Sequence, residues 1–439
     1  MIKAALALVA LMLIGCGSSG GSGSDGAGDG SNGSGADGPL PTPSATSSLS
    51  LSVGTYLPTS SEQPVAADIA ADGRGLAITS NHLSFIADDG AVSLIDAPGT
   101  VKDGEVSHAT GAIAVTGSAT WLLNSNGSGP QWTQNVAGDR VSVGDANTVG
   151  VLKGSTVSVI KSGAVTAFSA GTGNATDIAV DDSNDLVIVS GWTQVGGNLQ
   201  QPWVRAFSFT GSKQWTAYNW SEAQAGSNRS DARAEGLSMG RDGKLYLIGV
   251  AKGGTSTFRK LPGDVSSNAP NAEYSGAFQR TSDVGDVLVA YLGRLNPADG
   301  SLIKGTFLLT RLKSGKGNSI TFDGIDADAN GTIIAGGHAR WSIKDADLQV
   351  VGNRHTENAG MTVAIFDSDF RIKTWVNLST NDKGTVRGVG AANGRAVIAA
   401  DINWSGTRAT PVLHAATQTT PSASYAARFD LAQVPQSSN

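Results

Sequence analysis

Thr176-Asp-Ile-Ala-Val-Asp-Asp-Ser-Asn-Asp-Leu-Val-Ile-Val-Ser-Gly191 and Phe322-Asp-Gly-Ile-Asp-Ala-Asp-Ala-Asn-Gly-Thr-Ile-Ile-Ala-Gly-Gly337 share one plan. A short apolar strand runs into an Asx/Gly turn, and a second β-branched strand ends on glycine. The same unit recurs at residues 66–79, 234–249 and 386–399, around Asp72-Gly73, Asp242-Gly243 and Asn393-Gly394. A second hairpin unit follows, as in Val204 to Trp215, Leu292 to Ile303 and Val363 to Trp375. Two hairpins in tandem make a four-stranded sheet, and a chain of such sheets is a β-propeller. The expected fold class is therefore all-β, a β-propeller. Inner strands beginning near residues 66, 104, 139, 174, 232, 320 and 385 give seven blades. Six or eight stay compatible, because the second blade lacks a clear Asx-Gly turn and the fifth is swollen.

The last blade ends after Ser424-Tyr-Ala-Ala-Arg-Phe-Asp430, its third strand. Leu49-Ser-Leu-Ser-Val-Gly-Thr-Tyr-Leu57, ahead of the first blade, alternates as a strand does and has no blade of its own. It is expected to supply the missing outer strand, closing the ring and removing an exposed edge. In its Asp-x-x-Gly-Asn-like turns followed by an apolar strand and glycine, the chain resembles the bacterial β-propeller repeat family known as SBBP. The match is best over blades four to six. The resemblance implies the fold and an exported setting, since its motif specifies turns rather than chemistry.

At the N-terminus one lysine, Lys3, precedes an apolar run from Ala4 to Ile14, too short to span a bilayer and suited to a signal-peptide core. Leu13-Ile14-Gly15-Cys16 resembles the bacterial lipobox, and Cys16 is the only cysteine of the 439 residues. The resemblance implies cleavage after residue 15, lipidation of Cys16 and firm anchoring by several acyl chains. Gly17 at the next position points toward the outer membrane. Residues 16–48 are almost wholly Gly, Ser, Asp, Ala, Thr and Pro, and read as a disordered tether. Residues 49–439 then form one repetitive domain. Charged residues make up 15% and the net charge is −6, which argues against nucleic acid as partner. The domain reads as a monomer, and with no further cysteine its stability must come from its core.

Blades one to three are short, whereas blades four to seven carry extra residues between their second and third strands: 193–202, 252–286, 342–361 and 405–424. In a propeller that connection lies on one face in every blade, so the insertions are expected to build a crown there. Loops on a rigid scaffold commonly carry binding. Trp192, Trp341 and Trp404 stand where a second strand enters its insertion, as candidate ligand-stacking residues or as pins for the loops. Trp132, Trp215 and Trp375 follow the turn between third and fourth strands and read as inter-blade packing. His355, amid charged crown residues, is a further ligand-binding candidate, and Asp345 and Asp347 are a loose candidate cation pair without a spacing signature. Asp326-Ala-Asp-Ala-Asn-Gly331 imitates the start of a calcium loop, but the twelfth position is Gly337 rather than glutamate, which favours a plain turn. The five histidines form no metal-binding or catalytic spacing, and no Gly-x-Ser-x-Gly elbow or phosphate loop occurs.

No catalytic residue and no cofactor is therefore assigned. The function expected is an envelope-bound module, on either side of the outer membrane, recognising a glycan or a protein through its looped face. Two alternatives stay open. One is a periplasmic scaffold like the propeller lipoprotein of the barrel-assembly machinery, suggested by Gly211 to Trp215. The other is a glycan lyase or hydrolase, which would need acidic or histidine side chains converging over the axis. Fold alone does not choose among them.

Overall fold

The computed structural model describes residues 51–59 and 61–431, apart from 197–198, 229–230, 253–256, 273–286, 313, 315, 344–359, 380–382 and 403–422. Seven four-stranded antiparallel sheets follow one another along the chain, making a seven-bladed β-propeller. The inner strands are Pro64–Ile69, Val101–Val106, Arg140–Val143, Asn174–Asp181, Asp231–Met239, Ile320–Ala327 and Thr385–Ala392. Each begins within three residues of its sequence expectation, because the turn chemistry that marks a blade is local and repeats.

The seventh blade consists of Thr385–Ala392, Arg395–Asp401, Ser424–Asp430 and, as its outer strand, Leu51–Tyr56. Tyr56 pairs with Tyr425 and Leu51 with Phe429, and the Leu57 amide donates to the Ser424 carbonyl at 3.0 Å. Leu57 is fully buried, and the Tyr56 ring meets Tyr425 edge-on at 6.1 Å. The ring thus closes with chain from both ends of the domain, as the orphan strand implied.

Apolar clusters sit between blades rather than within them. Trp375 and Phe370 of blade six pack with Tyr246 and Leu308 of blade five. Trp215 of blade four packs against the blade-five cluster and donates its indole N–H to the Pro297 carbonyl at 2.9 Å. Trp132 of blade two lies against Val141 and Val149 of blade three. These three tryptophans stand at the inter-blade seams, where large rings fill the wedge between twisted sheets.

A second device joins the inner strands. In six of the seven blades a β-bulge interrupts the pairing of inner and second strand at an equivalent place. Separately, a side chain of the inner strand accepts a backbone N–H from the inner strand of the next blade. Asp68 accepts from Val106 at 3.0 Å, Glu105 from Val143 at 2.7 Å, and Ser142 from Val180 at 3.0 Å. Asp177 accepts from Leu237 at 2.9 Å and Asp326 from Ala391 at 2.7 Å. Each inner strand is the edge of its sheet and has no ladder partner on its axial side, and these side chains satisfy amides it leaves there. Between blades seven and one the strands instead touch directly. A Cβ on Gly388 would stand 2.3 Å from the Ala67 nitrogen, so only glycine fits there.

The crown differs in part from its expectation. Residues 193–195 and 199–202 are not irregular loop: they belong to strands Leu186–Val195 and Leu199–Ser208, with Thr193 opposite Gln201 and Val195 opposite Leu199. The blade-five insertion holds a short hairpin, Lys260–Leu261 with Asp264–Asn268, and is pinned by Phe258, which stacks on Tyr291 at 4.5 Å. Blade-to-blade crossings add to the same face. The crossing from blade four carries a single helical turn, Glu222–Ala225, whose Glu222 carboxylate accepts the Gly196 amide at the ribbon tip. The crossing into blade six contributes strand Thr310–Arg311, which pairs with Ser342–Ile343.

Candidate functional site

The first residues of the inner strands surround the propeller axis at the looped face, where they line a cavity of about 530 Å³. Going round, blade two presents Asp103, blade three Arg140, blade four Asp177, blade five Arg233 and Glu235, blade six Asp323 and blade seven Arg387. Lys102 adds a cation beside Asp103, and blade one presents Pro64 and Val65 instead of a charge. Cations and carboxylates therefore alternate round most of the mouth, four of each.

The charges meet in pairs. Arg233 Nε lies 2.9 Å from Glu235 Oε1, and Arg387 Nη1 donates to Asp323 Oδ2 at 3.0 Å. Arg140 Nε stands 3.9 Å from Asp177 Oδ1 and donates to the Thr176 carbonyl. Each of these pairs keeps part of its side chains open to solvent, about a third for Arg233 (34%) and Arg387 (37%).

Enclosure penalises the charged form of the acids. It pushes the Asp103 carboxyl up to about 7, opposed by Arg140 and reinforced by Asp177. Asp177, Glu235 and Asp323 are raised by the same desolvation, which Arg140, Arg233 and Arg387 respectively oppose. Arg140 is held above its ordinary value chiefly by Asp103. The mouth is thus a set of mutually supporting charges in a half-dry setting.

Below it a smaller cavity of about 110 Å³ shares Asp103, Asp177 and Asp323 with the mouth and continues inward past Asp68, Glu105 and Asp326. The opposite end is closed by Arg241, from the blade-five turn. Its Nε donates to the Ala391 carbonyl at 2.9 Å, Nη1 to His108 at 3.3 Å and Nη2 to Ile69 at 3.4 Å, and Asp68 lies 3.5 Å away. Its backbone N–H donates to Ala327 at 2.9 Å. One residue of blade five therefore touches four other blades and floors the channel. His108 is held down to about 3 by enclosure, with Arg241 adding to the effect, and stays neutral. Burial raises Asp326 to about 8, with Asp68 reinforcing and Arg241 opposing it, and Asp68 is raised by burial too.

Of the sequence candidates, Trp192 is half-buried on the blade-four ribbon, facing Asn174 and Pro202 across the ladders, and Trp341 is half-buried where blade six enters its insertion. Both lie on the looped face, and neither lines the axial cavity. Trp404, His355, Asp345, Asp347 and Cys16 lie outside the described residues. Asp328 accepts the Asn330 and Thr332 amides at 2.9 Å, Gly331 has φ +76°, and Asp326 turns to the axis. The calcium-like segment is an inter-strand turn. Among the described residues no group of three or more His, Cys, Asp or Glu side chains is arranged to hold a metal.

The axial charges were the residues the sequence reading passed over. The signal was present: in a chain only 15% charged, a charged residue stands within a few positions of every inner-strand start from blade two to blade seven.

No family model matches the chain, and no curated protein matches it. Among solved structures it is similar to a streptogramin B lyase, at 12% identity and TM-score 0.47, over 85% of this chain and 96% of that one. It is also similar to the WD40 β-propeller domain of Doa1, at 11% identity and TM-score 0.48, over 87% and 97%. A catalytically inactive virginiamycin B lyase from Staphylococcus aureus gives 10% identity and TM-score 0.47, over 86% and 98%. The class of protein is that of the β-propellers. A propeller is compatible with a binding or scaffold module, and these likenesses go no further than the fold.

Proposed function

We propose that the chain is a lipid-anchored binding module of the bacterial cell envelope, tethered at Cys16 to the outer membrane, which takes a glycan or protein partner through its looped face. The observation that carries this reading is the blind axial cavity. It opens on the face that carries the blade-four ribbon and the blade-five hairpin, and Arg241 spans the inner strands at its far end. Concave sites with a few convergent polar groups are the usual seats of ligands. The lipobox-like Leu13-Ile14-Gly15-Cys16 and the Gly/Ser-rich stretch behind it support the anchor and the reach.

Capture of material from a solubilised envelope extract tests the reading. The double variant Arg233→Gln/Arg387→Gln is expected to lose capture, whereas Lys213→Glu, exposed on the outer strand of blade four, is expected to retain it. Equal capture by all three proteins at matched folded fraction overturns the looped face as the ligand face. Cys16→Ala is expected to leave the membrane pellet, and its retention there after a high-salt wash counts against the anchor.

A further inference from the structure

We infer that the axial mouth receives the end of an uncharged, polyhydroxylated chain, a neutral glycan, whose hydroxyl groups bridge its guanidinium and carboxylate groups. The inference rests on the looped face being the ligand face and adds the chemical class of the ligand.

Guanidinium groups only donate hydrogen bonds and carboxylates only accept them, whereas a hydroxyl does both. A ring in which pure donors alternate with pure acceptors is matched at every position by a sugar. An anionic ligand would answer the arginines and be repelled by the acids, and a cation would meet the reverse. Four cations face four acids, so the mouth holds no large excess of either sign to repay the desolvation of an ion.

The pairs are already closed at 2.9 and 3.0 Å, and an ion would have to break them. A hydroxyl need not, because donor capacity remains. Among the described residues the only polar partner of Arg233 is Glu235, through Nε, so both its Nη groups are unspent. Such charge-assisted bonds to neutral hydroxyls are stronger than neutral ones.

One flank of the mouth is uncharged. Pro64 and Val65 of blade one offer apolar surface there for the C–H face of a sugar ring. The closed floor selects a chain end over a chain interior. The stitching role, which would make the charges merely structural, is taken by Asp68, Glu105 and Asp326 deeper in and by Asp103 and Asp177 at the mouth, while Arg233 and Glu235 take no part in it and remain about a third exposed (34% and 32%).

The test captures material from the solubilised envelope on immobilised domain, with the extract treated beforehand by mild periodate, which cleaves vicinal diols, or by protease. Capture is expected to be abolished by periodate, to survive protease, and to change less than about twofold between low and high salt, as suits an uncharged ligand. Glu235→Gln and Val65→Trp, the second blocking the mouth without touching a charge, are each expected to weaken it about tenfold or more, with melting temperatures confirming folding. Protease-sensitive, periodate-resistant capture that still depends on Glu235 would overturn the glycan and leave the looped-face reading standing. Steep loss with salt would likewise overturn the uncharged ligand alone. Absence of any mouth-dependent capture overturns both.

Discussion

Removing residues 49–57 should open the ring, and the structure sets the size of the effect. The segment fills the outer edge of blade seven. It buries Leu57 completely and leaves Val53 and Tyr56 only 9% and 7% exposed. Three such side chains contribute roughly 1.5 to 3 kcal/mol each, or about 5 to 9 kcal/mol together as an upper figure. Whole domains are stable by only about 5 to 15 kcal/mol, so the loss is a large share of the total. At roughly 2 °C per kcal/mol for a large domain, melting should fall by about 10 to 20 °C. The comparison is thermal unfolding of the intact chain, the chain lacking 49–57 and a chain lacking only 17–38 of the tether. The tether deletion should be silent. A single-residue version, Leu57→Ala, should cost about 2 to 5 kcal/mol through the cavity it leaves. Equal melting of the two truncations would refute ring closure as a source of stability.

Two further outcomes follow from the floor of the channel. Arg241→Gln should lower the denaturant midpoint by an amount equivalent to about 3 to 5 kcal/mol, because it leaves the buried Asp68 without its cation and takes the guanidinium from the carbonyls of Ala391, His108 and Ile69. A loss below about 1 kcal/mol would show that the floor is not held by this guanidinium. The native state also keeps protons on Asp326, raised to about 8, and on Asp103, raised to about 7, at pH values where the unfolded chain has released them. Stability should therefore fall as pH rises from 6.5 to 8, by about 2 kcal/mol for one proton over that interval. Below 6.5 the unfolded chain's histidine takes the proton that native His108 refuses until about 3, which offsets only one of the two protons held by Asp326 and Asp103, so stability should go on rising as pH falls toward 5. Melting temperatures across pH 5 to 9 check this. Rising stability between 6.5 and 8 would contradict it.

Fold and site differ in how much of each is legible in the chain. Asp72-Gly73, Asp242-Gly243 and Asn393-Gly394 are turns whose chemistry is local, and β-branched runs between them leave few alternatives to strands. The closing strand was legible because Leu49 to Leu57 alternates and had no partner in sequence order. The mouth was not. Asp103 and Asp177 follow β-bulges and Asp323 sits within one, so their side chains leave the simple alternation of a strand, and the arginines opposite them are contributed by other blades. Arg241 sits in an ordinary-looking Arg-Asp-Gly turn, and only the closed ring brings it against four other blades. The tryptophans drew attention by their rarity, yet Trp192 and Trp341 stand at the crown's edge while the axis is lined by charge.

The most direct measurement of the central claim is amide hydrogen exchange of the domain with and without captured envelope ligand. Binding at the axial mouth predicts added protection at the starts of the inner strands, around Asp103, Arg140, Asp177, Glu235, Asp323 and Arg387, with the turns of the opposite face unchanged. Protection confined to those opposite turns, around Asp89 and Asp299, would contradict it.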